Sequence, residues 1–205
     1  MRKLIIDADT GSDDAVALVM AIRNLPKESI LGITIAAGNV PLKQGISNAL
    51  YVNELCDTNI NVYAGESAPM YRPYIELDNM EQATAHALSE DPASSSAQYV
   101  HGADGLGDIG LEPKNTNYSD VSALDFYRET LKKNTDIEIV ALGPLSNIAR
   151  LIMEEPKLLG SIKHCYIMGG CSNGVGNITK TAEYNFWVDP EAADIVLRSE
   201  IPITV

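Results

Sequence analysis

Four carboxylates stand within eight positions near the amino end of the chain, in Leu4-Ile5-Ile6-Asp7-Ala8-Asp9-Thr10-Gly11-Ser12-Asp13-Asp14-Ala15. Two unit charges ~4 Å apart at an effective dielectric of ~20 repel by about 4 kcal/mol, so such a cluster calls for a cation, a shared proton or water. An all-oxygen donor set suits a hard divalent ion, Ca²⁺ or Mg²⁺. Each part also has a plainer reading. Asp13 and Asp14 alone suit the first turn of any helix, where the dipole favours negative charge. An Asp-x-Asp pair after a strand is common too. The whole string is far less common, and ligand sites in open α/β sheets sit where it would fall, at the carboxyl ends of strands.

The elements that position these residues follow from pattern. Leu4 to Ile6 read as a buried strand, and Gly11 breaks it. Ser12 is expected to cap a helix that opens with Asp13 and Asp14. On an extended strand end Asp7 and Asp9 share a face. Ala15, Leu18, Val19 and Ile22 carry the helix to a stop before Pro26. Ile30 to Ala37 is a second strand, with Asn39 at its carboxyl end. Leu42, Ile46, Ala49 and Leu50 give a second helix, and Ile60 to Ala64 a third strand. After a break, Ala123 to Leu131 predicts a helix, Ile137 to Leu142 a strand, and Leu145 to Ile152 a helix. Ile162 to Met168 is a strand, Asp189-Pro190 a helix start, and Ile201 to Val205 a final strand. Strand alternating with helix means parallel β-α-β units. The expected fold class is therefore α/β, a mostly parallel open sheet with flanking helices, in one domain over residues 1–205.

Residues 66–120 interrupt the rhythm and are expected to form an insertion or flap. Asp78 with Glu81 resembles a capping box for a short helix through Ala87. The glycine-rich run from Gly102 to Gly110 suits a flexible flap. His101 stands at its start, and a lone loop histidine is more often simply exposed than functional.

Net charge is −13, from 15 Lys and Arg against 28 Asp and Glu. That argues against nucleic acid, which wants a basic face, and against an anionic membrane surface. No apolar run reaches the ~18 residues of a membrane span. The amino end enters a strand without a signal-peptide core. Cys56, Cys165 and Cys171 lack metal-ligand spacing and read as reduced thiols, which implies a cytoplasmic protein.

Five motifs in order resemble the inosine-uridine-preferring nucleoside hydrolases. They are Asp7 to Ala15, Gly38-Asn39, Gly143-Pro144-Leu145-Ser146-Asn147-Ile148-Ala149, Met168-Gly169-Gly170, and Ala182-Glu183-Tyr184-Asn185 followed by Asp189-Pro190-Glu191-Ala192-Ala193. The resemblance implies a Rossmann-like sheet and a Ca²⁺-dependent N-ribohydrolase that splits a small-molecule ribonucleoside into ribose and free base. Asp9 and Asp14 match calcium ligands, and the backbone carbonyl of Leu142 a further one. Asp9 also matches the general base. Asp13, Asn39, Met168, Asn177, Glu183 and Asn185 match positions that grip the ribose. Asp7 matches a supporting aspartate, and His101 with Gly102 the start of a mobile flap over the base. The resemblance also implies a homodimer or homotetramer. Family members continue past the strand begun at Ile201, with a further calcium carboxylate and, in many, a histidine that protonates the leaving base. The fold is accordingly expected to be incomplete at its C-terminus, and the metal set to lack one ligand. The stretch 66–100 is longer than the family's usual connection.

Two other readings stay open at this level. One is a truncated or degenerate homologue that binds nucleosides without turnover. The other is a haloacid-dehalogenase-like, Mg²⁺-dependent phosphatase, with Asp7 as nucleophile and Asp9 as acid/base. That reading expects a later carboxylate at a strand end, and Met168-Gly169-Gly170 supplies none.

Overall fold

The computed structural model describes residues 2–70 and 97–205. Its frame is a sheet of six strands in the order β3-β2-β1-β4-β5-β6. The strands are β1 (Lys3–Ala8), β2 (Ile30–Ile35), β3 (Val62–Ala64), β4 (Ile137–Ala141), β5 (Ile162–Ile167) and β6 (Ile203–Thr204). Every neighbouring pair is parallel. The chain steps outward from β1 through β2 to β3, then returns to β4 on the other side of β1. The order thus reverses between β1 and β4, which opens a crevice at their carboxyl ends.

The helices are α1 (Ser12–Asn24), α2 (Leu42–Leu55), α3 (Gln98–His101), α4 (Ala123–Lys133), α5 (Ser146–Glu154), α6 (Tyr184–Val188) and α7 (Pro190–Leu197). Alternation along β1 divides the core. Leu4, Ile6 and Ala8 face one side and pack with Leu18, Ile22, Ile46, Ala49 and Val52 of α1 and α2. Ile5 faces the other side and packs with Phe126, Tyr127, Ile148 and Val196 of α4, α5 and α7. Both faces of the central strands are covered, so these strands are continuous apolar runs rather than alternating ones.

Among the described residues the expected elements are present, with two differences. Gly11, not Ser12, is the N-cap of α1, in extended backbone. The Asp14 carboxylate accepts the Gly11 N–H instead, which frees the Ser12 hydroxyl for another partner. The last strand is shorter than expected, because only Ile203 and Thr204 pair with β5. The helix expected from Asp78 to Ala87 lies outside the described residues. Among the described residues no helix is long and apolar enough to cross a membrane, and the three cysteines are free.

Candidate active site

The loops after β1, β2, β4 and β5 meet over the crevice. Asp9 sits just past β1, at the centre, and is 0% exposed. Its Oδ2 accepts the Asn39 backbone N–H at 2.5 Å and its Oδ1 the Asn39 amide at 3.3 Å. Glycines let two loops close on this carboxylate. A Cβ at Gly143 would lie 2.7 Å from Asp9 Oδ1, and one at Gly38 would collide with Oδ2. Asp14 returns from the first turn of α1, as its position in the sequence requires. Its Oδ2 accepts the backbone N–H groups of Asp9 and Gly11, each at 3.3 Å.

Burial pushes the Asp9 carboxyl well above the usual carboxylate range, and the neighbouring Asp14 charge adds to the rise. Burial raises Asp14 as well. The two carboxyls are within hydrogen-bonding reach of each other. A buried acid pair of this kind holds either a shared proton or a cation. The Leu142 carbonyl, next to Gly143, belongs to the same crevice and accepts the Asn185 amide at 2.8 Å. Two carboxylates and a carbonyl fit a hard divalent cation in kind. Among the described residues, no group of three or more His, Cys, Asp or Glu side chains converges on one ion site.

Beside the acid pair is a cleft of about 310 Å³ lined by Asp13, Asn39, His101, Leu142, Met168, Asn177, Glu183 and Asn185, with Ala97, Tyr99, Val100 and Tyr184. Every residue expected to grip a sugar is therefore on its wall. Several also hold the wall together. Glu183 caps α6, accepting the N–H groups of Asn185 at 2.9 Å and Phe186 at 3.2 Å. It also accepts Gly170 N–H at 2.9 Å. Asn177 accepts the Tyr184 N–H at 2.8 Å. Asn185 reaches the Met168 carbonyl at 3.1 Å as well as Leu142. A larger hollow, of about 660 Å³, lies where α2 ends and β3 begins. That is the opposite end of the sheet from the strands' carboxyl ends, and its Glu54 is paired with Lys114.

Asp7 stands apart from the pair. It is 1% exposed and lies one step back inside β1, on the α4–α5 face. Its Oδ1 accepts the Thr34 hydroxyl and, at 2.8 Å, the Asn147 amide. Tyr127 Oη lies 3.1 Å from the Thr34 hydroxyl. Neither Asp9 nor Asp14 hydrogen-bonds it. The spacing that put Asp7 and Asp9 on one face holds only within the strand, and β1 ends at Ala8. So placed, Asp7 braces the strand below the site and is closed to attack on a substrate, which removes the phosphatase reading.

His101 is buried, against the simpler expectation for a loop histidine. Its Nδ1 is 2.7 Å from Ser12 Oγ, and its Nε2 is 3.8 Å from Asp13 Oδ1. The glycine-rich loop behind it is wound rather than slack. Gly102, Gly105, Gly107 and Gly110 all have positive φ. Asp104 Oδ1 accepts the N–H groups of Leu106 at 2.7 Å and Asp108 at 2.9 Å. The glycines thus meet a backbone requirement. Sequence reasoning missed Asn48, whose buried amide joins the Thr10 carbonyl at 2.9 Å to the Asp104 carbonyl at 2.8 Å. A polar residue on the apolar face of α2, between Ile46 and Ala49, was the available signal. Tyr184, whose hydroxyl donates to the Gly38 carbonyl at 3.0 Å, and the Thr34–Tyr127 pair left no such mark.

Fold and site together define a doubly wound α/β protein with an acidic, oxygen-lined cleft at its switch point. The model of the inosine-uridine preferring nucleoside hydrolase family matches residues 4–205, and the chain belongs to that family. The pyrimidine-specific ribonucleoside hydrolase RihB of Escherichia coli strain SE11 is 37% identical over 205 residues, covering 100% of this chain and 58% of RihB. A plant nucleoside hydrolase, PpNRh1, superimposes with a TM-score of 0.82 at 30% identity, covering 99% of this chain and 59% of that one. A purine-preferring ribonucleoside hydrolase from Gardnerella vaginalis gives a TM-score of 0.80 at 32% identity, over 98% and 59% of the two chains. The chain spans 58% to 60% of the length of the first curated relatives it matches.

Proposed function

We propose that this chain binds a ribonucleoside in the cleft beside Asp9 and Asp14 and hydrolyses its N-glycosidic bond, with Asp9 as general base and Ca²⁺ as cofactor. The observation that carries the reading is the meeting of a buried acid pair with a wall of Asn, Asp and Glu side chains at one crevice. A calcium ion held by Asp9, Asp14 and the Leu142 carbonyl would polarise water and the sugar hydroxyls.

Asp9 takes the water's proton. Asn39 fixes the direction of its carboxylate through two hydrogen bonds. Cleavage of the bond develops a ribosyl cation, and the oxygens of Asp13, Glu183, Asn177 and Asn185 face that charge. Amide and carboxylate groups in pairs match vicinal hydroxyls. A sugar lacking the 2′-hydroxyl leaves one such group unpaired.

The test is release of free base from uridine, cytidine, inosine and adenosine with and without Ca²⁺, beside their 2′-deoxy forms. Calcium-dependent release from the ribonucleosides is the expected result. Equal turnover of the deoxy forms overturns the assignment of the wall. A second reading is a nucleoside-binding protein without turnover. Binding heat with no base release would establish it.

A further inference from the structure

Both ring nitrogens of His101 are engaged by consecutive residues at the start of α1. Nδ1 is at hydrogen-bond distance from Ser12 Oγ, 2.7 Å. Nε2 faces the Asp13 carboxylate at 3.8 Å. Only one neutral tautomer satisfies both. A bare Nε2 lone pair turned toward a carboxylate sets two electron-rich atoms against each other, whereas an Nε2–H is attracted to it. With the proton on Nε2, Nδ1 is an acceptor, and the Ser12 hydroxyl must donate to it.

We propose that Ser12 is a positioning residue: Asp13 sets the preference for the Nε2–H form, and the Ser12 hydroxyl, donating to Nδ1, locks the neutral ring in it, with that N–H presented to the cleft beside Asp13. The ring's own backbone is fixed independently. The His101 carbonyl accepts Gly107 N–H at 2.7 Å, and Asn48 ties the same loop to the Thr10 carbonyl. The loop therefore brings His101 to the cleft, Asp13 favours the proton on Nε2, and Ser12 fixes the ring by donating to Nδ1. The role for substrate rests on the nucleoside reading above. In that reading Nε2–H donates to an acceptor atom of the nucleoside lying next to Asp13.

The experiment has one arm that needs no substrate. Two-bond ¹H–¹⁵N correlation of histidine-labelled protein, at a pH where His101 is neutral, reads the tautomer directly. A His101→Gln protein assigns the signal among the three histidines. Wild type is expected in the Nε2–H form, Ser12→Ala as a mixture, and Ser12→Thr as wild type. In the kinetic arm, loss of one neutral hydrogen bond raises KM by about fivefold in Ser12→Ala. Its kcat changes less, and Ser12→Thr restores KM. An Nδ1–H ring in wild type overturns the proposal, as does an unchanged tautomer with unchanged KM in Ser12→Ala. Absence of base release from wild type, with the tautomers as expected, overturns the hydrolase reading and leaves the positioning role standing.

Discussion

The Asp14 carboxylate bends back from the first turn of α1 to accept the backbone N–H of Asp9, at 3.3 Å. One acidic side chain thereby stands over the end of the strand that carries another. The backbone donors at Asp9 and Gly11 lessen the repulsion without cancelling it, and both carboxyls remain pushed up in pKa. Stability and the binding of a cation by this pair would therefore be linked at this point of the fold.

Calcium should stabilise the folded protein. An ion that binds only the native state at ~100 times its Kd contributes about 2.7 kcal/mol. Melting followed by circular dichroism should show Tm rising with Ca²⁺ and falling back with chelator. The rise should be larger at pH 8 than at pH 5, because protons compete for Asp9 and Asp14. Asp14→Asn should remove most of it. An ion-independent Tm in wild type would detach the acid pair from metal binding.

In chelator-treated protein, Asp7 should make stability fall as pH rises. Burial pushes its carboxyl from 3.8 to about 7, so between those values the folded state binds a proton that the unfolded state has lost. The contribution is full below the unfolded pKa and is lost on passing through the folded one. Three pKa units correspond to roughly 4 kcal/mol. Urea titrations at pH 5 and pH 8 should show the decline, and Asp7→Asn should reduce it, leaving the part that Asp9 and Asp14 contribute.

The fold was legible because apolar runs and helical spacing agree along the chain, and Asp9 and Asp14 because charge density over so few positions has few peaceful explanations. Asn39, Met168, Asn177, Glu183 and Asn185 were legible only through motif resemblance, since each alone is an ordinary turn or cap residue. Glu183 does cap a helix as well as line the cleft. What the sequence hid was contact across long separations. Ser12 and His101 are 89 residues apart and Asp7 and Asn147 are 140 apart. No local pattern marks a partner at that distance, so Ser12 read as a cap and Asp7 as a member of the acid cluster.

Asn48 should be needed for the glycine loop to hold its place. Its side chain bonds two carbonyls from different loops and accepts the Gln44 amide at 2.9 Å. Asn48→Ala leaves those carbonyls without their donor, at a cost of about 2 kcal/mol. Denaturant unfolding should register that loss. Hydrogen exchange should speed up at Gly105 and Gly107 while β1 and β4 stay protected. Uniform acceleration throughout the sheet would mean that Asn48 serves the whole core instead.

Gly143→Ala should separate the site from the fold. Gly143 has no special backbone conformation among the positive-φ residues, so alanine adds little strain there. The nearest atoms the added Cβ would meet belong to the Asp9 side chain, Oδ1 at 2.7 Å and Cβ at 3.0 Å. The end of a side chain can yield where backbone cannot, and it must yield by moving away from the loop after β4. Asp9 would then leave the side of the crevice where the Leu142 carbonyl lies. Misplacement of a general base by ~1 Å costs about 10²-fold in rate. We therefore expect Gly143→Ala to lower kcat and calcium affinity together, with the calcium-free Tm within a few degrees of wild type. A variant that melts early but binds calcium normally would place the glycine's role in packing, and the close approach of the two loops to Asp9 would lose its functional meaning.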